Sequence, residues 1–212
     1  MKLRVYEIFY SLQGETSRVG LPTVFVRLTG CPMRCVYCDT AYAFSGGRNM
    51  ALETILAQVA SYGVRYVTVT GGEPLAQKEC LALLQKLCDA GYEVSLETGG
   101  AIDTSGVDAR VAVILDIKTP GSGEVEKNLW DNLQHLKPKD EVKFVLCGRG
   151  DYDWAKQVLT ERAITSKCSV LFSPVYHQVN PTELAEWVLH DKLPVRMQVQ
   201  LHKILWGEVP GR

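Results

Sequence analysis

The chain has 212 residues, 46% of them hydrophobic and 22% charged, with a formal net charge of -1. That length exceeds a disulfide-stapled miniprotein and falls short of several independent enzyme domains, so a single domain over residues 1–212 is expected. The composition excludes a disordered tail protein and carries no basic signature for nucleic acid. The longest aliphatic run, residues 111–115, is too short to span a bilayer. Residues 1–7 lack the apolar core and cleavage site of a signal peptide, so a cytoplasmic location is expected.

Apolar runs alternate with amphipathic stretches along the chain. Residues 23–29 are predicted as a strand. Residues 49–62 are predicted as a helix with Leu52, Ile55, Leu56 and Val59 on one face. A strand over 64–70 and a helix over 75–90 follow, the helix closing at Gly91. Strands are then predicted over 92–97 and 111–117, a helix over 126–136, a strand over 141–147 and a helix over 151–162. The last predicted elements are a strand over 169–172, a helix over 182–190 opened by Pro181, and a strand over 195–201. This order implies an α/β fold with a mostly parallel sheet and right-handed crossovers. A full eightfold barrel typically needs about 250 residues, so a partial (βα)6-type barrel fits the length better.

In such folds the ligand site lies at the carboxyl ends of the strands. The unusual residues fall there. Of seven cysteines, Cys31, Cys35 and Cys38 follow the first predicted strand with spacing Cys-x3-Cys-x2-Cys. Three thiolates from one loop suit a metal or iron–sulfur centre. The four histidines, His135, His177, His190 and His202, are distant in sequence and supply no second zinc knuckle. A cubane cluster with one open iron is the favoured reading, and zinc remains the alternative. Cys80, Cys88, Cys147 and Cys168 are expected as small buried apolar side chains.

The Cys31, Cys35, Tyr37, Cys38 pattern resembles the radical S-adenosylmethionine superfamily, and Gly71-Gly72-Glu73-Pro74 resembles its second motif. Within it, Ser11-Leu12-Gln13-Gly14-Glu15-Thr16, Arg27 and Cys38-Asp39-Thr40 look like the 7-carboxy-7-deazaguanine synthase family of queuosine biosynthesis, over nearly the whole chain. The resemblance implies a 4Fe-4S cluster on the three cysteines, with S-adenosylmethionine chelating the fourth iron. One-electron cleavage then yields a 5'-deoxyadenosyl radical that abstracts hydrogen from 6-carboxy-5,6,7,8-tetrahydropterin. Ring contraction and loss of ammonia follow. It further implies Mg2+, a flavodoxin-like electron donor and a homodimer.

Residue by residue, the resemblance implies S-adenosylmethionine contacts at Tyr37, Cys38, Asp39, Gly72, Glu73, Lys118, Ser173, Pro174, Val175 and Tyr176. It implies substrate contacts at Leu12, Gln13, Gly14, Arg27, Thr70 and His202, and Thr40 as the Mg2+ ligand. Plainer readings stand beside these. Gln13 and Glu15 are also ordinary turn residues, Thr40 also caps a turn, and Lys118 also suits a structural ion pair. His202, placed at a strand end, is balanced between core and site, and Tyr176 also suits packing. Arg27 on an apolar strand is costly to bury unpaired, which favours a ligand role. Two departures from the family stand out. Gly99 replaces an Asn of many relatives and is expected to keep its positive φ, and Pro210 and Arg212 extend the C-terminus with no assigned role. A glycyl-radical-enzyme activase would share the cysteine motif, but not the combination of the 11–15 segment, Arg27 and Thr40.

Overall fold

The computed structural model describes residues 1–211; Arg212 lies outside them. Nine strands form one sheet: β1 (Lys2–Leu12), β2 (Pro22–Leu28), β3 (Arg48–Ala51), β4 (Tyr66–Gly71), β5 (Glu93–Thr98), β6 (Ala112–Ile117), β7 (Glu141–Leu146), β8 (Ser169–Pro174) and β9 (Arg196–Met197). Their order is β3-β1-β2-β4-β5-β6-β7-β8-β9. From β2 to β9 every neighbouring pair is parallel, while β1 runs antiparallel to both β2 and β3. The sheet ends at β3 and β9 without pairing them, so the barrel is partial, as expected from the length.

Four helices cover the outer face: α1 (Leu52–Ser61), α2 (Cys80–Asp89), α3 (Arg149–Glu161) and α4 (Pro181–Asp191). In α2, Cys80, Leu83, Leu84, Leu87 and Cys88 are buried, an i, i+3, i+4, i+7, i+8 stripe facing the sheet. They join Val24, Val26 and Leu28 of β2, Val67 and Val69 of β4, and Val94 and Leu96 of β5 in one core. Each truncation there to Ala would cost about 2–5 kcal/mol for a leucine.

The alternate residues of β2 and β4–β8 point the other way, and many are polar: Arg27, Thr68, Thr70, Ser95, Glu97, Asp116, Lys143 and Ser173. Strand period two thus separates an apolar outer face from a polar inner one.

Several elements differ from the sequence reading. β1 and β3 were not predicted; Met50 of β3 pairs Leu3 of β1, so the segment predicted as the start of a helix is an edge strand. Only 3-10 turns, Val125–Lys127 and Trp130–Gln134, occupy the predicted helix over 126–136. Asn132 is buried there and binds Thr104, Gly100 and Ile102, a tertiary demand that overrides helical continuity. The predicted final strand shrinks to β9, and α5 (Leu201–Trp206) replaces its end. His202 is therefore a helical residue. Cys80, Cys88 and Cys168 are core, but Cys147 is half-buried at the end of β7. Its thiol is pushed up to about 12 by burial and by the adjacent Asp151. Among the described residues no helix is long and apolar enough to cross a membrane.

Candidate active site

The three cysteines lie in the loop after β2, all half-buried and none in a disulfide. The loop is pinned from three sides. Gly72 N–H donates to the Leu28 carbonyl at 3.2 Å and Glu73 N–H to the Gly30 carbonyl at 2.8 Å. A Cβ on Gly72 would collide with the Gly30 carbonyl oxygen and sit 2.8 Å from Cys31 Cβ, so only glycine permits this approach. On the far side, Val36 N–H donates to the Ser122 carbonyl at 3.0 Å, and Arg34 N–H to Glu124 Oε1 at 2.9 Å. Lys127 Nζ donates to the Pro32 carbonyl at 2.5 Å.

The second pinning loop, residues 118–127, is itself fixed by buried Asp151. Its carboxylate accepts Thr119 Oγ1 at 2.7 Å, Gly121 N–H at 2.8 Å and Cys147 N–H at 2.9 Å.

Burial raises the pKa of all three thiols. Cys31 is further opposed by Cys38, and Cys35 by both others, while Lys118 favours the thiolate at all three. Thiols that oppose one another's ionisation fit a polycationic iron–sulfur group, which displaces their protons. Among the described residues no three His, Cys, Asp or Glu side chains gather tightly enough for a single metal ion. Three free thiols on one loop, with the Lys118 ammonium favouring their ionised form, supply a donor set for an iron–sulfur group.

Tyr37 lies within this loop, Lys118 faces it, and Ser173 lies near the carboxyl end of β8. The buried Tyr37 hydroxyl and Ser173 Oγ have no hydrogen-bond partner among the described residues. Burial pushes the Tyr37 hydroxyl pKa far up, keeping it a neutral donor. Lys118 Nζ lies 5.8 Å from the Tyr37 ring centroid and 2.9 Å from Asp116 Oδ2. Burial alone would lower the Lys118 pKa, but Asp116 and the cysteines raise it, so it stays charged. Pro174 ends β8, and Val175 N–H donates to the Leu146 carbonyl at 3.0 Å. The Tyr176 ring packs 3.9 Å from that of His177, centroid to centroid, with Lys203 Nζ 5.3 Å above it.

The Glu73 carboxylate is fully buried and turned away from any ligand. It accepts Leu75 N–H at 3.0 Å, Gly99 N–H at 2.8 Å and the Thr98 hydroxyl at 2.9 Å. Only its backbone remains for a cofactor. Gly99 does not take the expected positive φ; Gly100 does, at 73°. Gly99 is small for another reason, because a Cβ would collide with Met33 Cε of the cysteine loop.

The β1–β2 hairpin supplies the floor. Its loop, residues 13–21, crosses the amino ends of the parallel strands. Ser17 N–H and Oγ donate to Glu141, and Arg18 donates to the Glu93 carbonyl. Gln13 Nε2 donates to Thr68 Oγ1 at 3.2 Å and Glu97 Oε1 at 3.3 Å. Thr70 Oγ1 donates to Glu97 Oε2 at 3.0 Å. Gly14 abuts the His202 imidazole so closely that a Cβ would overlap it, and Leu201 N–H donates to the Gly14 carbonyl. Burial lowers the His202 pKa and favours neutral imidazole. Leu12, ending β1, pairs with Pro22.

Arg27, Thr40 and Asp39 are likewise engaged within the protein. Arg27 is not unpaired: its Nε lies 2.7 Å from Glu7 Oε1, which also accepts the Tyr42 hydroxyl. The burial argument for a ligand at Arg27 therefore fails, although the fork has further donors. Thr40 Oγ1 donates to Asp39 Oδ1 at 2.8 Å, and Asp39 Oδ2 lies 2.8 Å from Lys203 Nζ.

Sequence reading missed Glu97, Lys143, Asp116 and Glu7, and treated Glu15 as a turn residue. Glu15 is buried, 2.7 Å from Lys143 Nζ and accepting Gln200 Nε2 at 2.7 Å. Burial alone would raise its pKa, but Lys143 holds it below the usual range. Glu97 is raised by burial and by the nearby charge of Glu15. The floor thus sets a carboxyl held low by Lys143 beside one pushed up by burial. The signal was present: Thr68/Thr70 and Ser95/Glu97 sit two apart in otherwise apolar strands.

The sequence pattern of the Radical SAM superfamily matches residues 25–188. The 7-carboxy-7-deazaguanine synthase of Chlorobaculum tepidum is 47% identical over 97% of this chain and 94% of its own length. That of Koribacter versatilis is 40% identical over 96% and 97%. The crystal structure of QueE from Escherichia coli superposes with a TM-score of 0.78 at 23% identity, covering 95% of each chain. These relatives do not favour the activase or zinc-module alternatives. The chain belongs to the 7-carboxy-7-deazaguanine synthase family of the radical S-adenosylmethionine superfamily.

Proposed function

We propose that residues 1–212 act as one radical S-adenosylmethionine domain that converts 6-carboxy-5,6,7,8-tetrahydropterin to 7-carboxy-7-deazaguanine. The observation that carries this reading is the polar inner face, with its paired carboxyls Glu15 and Glu97, lying beneath a loop of three free thiols. Cys31, Cys35 and Cys38 hold the 4Fe-4S cluster. Bound there with S-adenosylmethionine, it supplies one-electron cleavage of the sulfonium and so the means of hydrogen abstraction.

The chain's own residues bind and orient. Tyr37, Lys118 and Ser173 offer the cofactor free polar atoms, with Asp39, Gly72, the Glu73 backbone, Pro174, Val175 and Tyr176 completing its walls. Glu15 accepts N–H groups from the guanidine-like edge of the pterin, and Glu97, held by Gln13 and Thr70, lines the same edge. Leu12, Gln13, Gly14, Thr70 and His202 shape the same floor. Remaining donors of Arg27 meet the substrate carboxylate. Thr40 keeps lone pairs for Mg2+, which fills its octahedron with substrate and water oxygens. The flavodoxin-like donor and the homodimer rest on the family resemblance.

The test is anaerobic incubation of the cluster-loaded protein with reductant, S-adenosylmethionine, Mg2+ and the carboxypterin. The expected product is 7-carboxy-7-deazaguanine, identified by mass. Its absence while cluster and cofactor are bound overturns the reading. Thr40→Ala is expected to weaken the Mg2+ dependence chiefly; an unchanged metal response removes Thr40 as ligand.

A further inference from the structure

A line of buried charge joins the floor to the cysteine loop. Lys143 Nζ lies 2.7 Å from Glu15 Oε2 and 3.7 Å from Asp116 Oδ2. The same Asp116 oxygen lies 2.9 Å from Lys118 Nζ. The signs alternate from Glu15 through Lys143 and Asp116 to Lys118. Neither link at the centre is saturated. Lys143 is shared unequally between two carboxylates, and Asp116 Oδ1 is buried with no hydrogen-bond partner among the described residues. An ion held between two counter-ions moves toward one when the other is engaged elsewhere, and at low dielectric that response is strong.

We propose that Asp116 and Lys143 are positioning residues that couple pterin binding to S-adenosylmethionine binding. The inference rests on the placement, proposed above, of the pterin over Glu15 and the cofactor at Lys118. N–H donors of the pterin compete with Lys143 for Glu15. Lys143 then gives more of its charge to Asp116. Asp116 in turn holds Lys118 less strongly, and the Lys118 ammonium is freer to meet an acceptor oxygen of the cofactor. The coupling is positive, and it is reciprocal because it is a free energy shared by two sites.

The experiment measures the dissociation constant of S-adenosylmethionine for the cluster-loaded protein by equilibrium dialysis. It is run without reductant, so nothing turns over, with and without saturating carboxypterin. Wild type is expected to bind the cofactor at least about fivefold more tightly with pterin present. Asp116→Asn keeps the shape and one acceptor but loses the shared charge, and should bring that ratio close to one. Lys143→Met should do the same and, by leaving Asp116 to Lys118 alone, should also weaken cofactor affinity without pterin. Thermal melting of each variant confirms folding, and if Asp116→Asn does not fold, Lys143→Met decides. A wild-type ratio of one, or a ratio that survives in the folded variants, overturns the coupling. Direct dialysis of the pterin separates the two readings. A wild-type chain that binds none overturns the functional reading and this one with it, whereas pterin bound without coupling overturns the coupling alone.

Discussion

The Glu73 side chain is engaged within the protein by Leu75, Thr98 and Gly99, which leaves its backbone for the cofactor contact that the family resemblance implies. The Gly71-Gly72-Glu73-Pro74 motif was legible, and so was the need for a small residue at Gly72, because close backbone approach has a steric signature. The destination of the Glu73 carboxylate was not legible, since its partners Thr98 and Gly99 come from another strand end. With two N–H groups and a hydroxyl converging on it in a fully buried place, Glu73→Gln would set an amide NH2 against a donor. A loss of roughly 1–3 kcal/mol is expected, read from urea unfolding of the cluster-free chain. An unchanged midpoint would show that the carboxylate does not organise this turn. Gly72→Ala tests the steric part. Its Cβ has backbone on the facing side, so the cysteine loop must shift, and the variant is expected to retain less iron per chain after reconstitution than wild type.

At the scale of elements, the parallel strands and their covering helices were legible because each carries one apolar face of clear period. What escaped was set by tertiary context. β1 has buried Leu3 and Val5 but a mixed pattern beyond them, as its outer end faces Tyr62 and Tyr42 rather than a helix. The 195–201 segment is β-rich in composition, yet Gln198 and Gln200 are drawn to Thr16 and Glu15 of the hairpin loop. That loop crosses the amino ends of the parallel strands and ties the segment after β9 to the floor. Its anchor is Glu141, buried at the start of β7 and bound by both the amide and hydroxyl of Ser17. Removing the acceptor in Glu141→Ala leaves those donors without it. We expect faster amide exchange across residues 13–21 and a raised KM for the pterin, with the KM for S-adenosylmethionine little changed. Equal protection of the loop in both proteins would mean that closure is held elsewhere.

Over the whole molecule, a near-neutral chain conceals an inner face crowded with ionisable groups, and the pH dependence of stability should report the conflict. Asp39, held by Lys203 at about 2, and Glu15, held down by Lys143, have folded pKa values below their unfolded ones. Their stabilisation is present above the usual carboxylate range and is lost as pH falls through it. His202, lowered by burial, adds to the same trend below about 6.5. Glu73 and Glu97 act in the opposite sense. Burial raises both, so the folded state keeps protons that the unfolded chain releases, and stability falls as pH rises above about 4.5. Glu97→Gln isolates the inner-face contribution, since an amide is already neutral and its oxygen can still accept from Gln13 or Thr70. The variant should gain stability relative to wild type between pH 5 and pH 8, by an amount that grows with pH, while pterin turnover drops. Denaturant unfolding at the two pH values measures the gain. A difference independent of pH would mean that Glu97 titrates as an ordinary carboxylate and that the floor carries two charges rather than one. A gain with full turnover would remove Glu97 from the substrate site. A gain with lost turnover would show stability given up to hold a neutral carboxyl where the substrate binds.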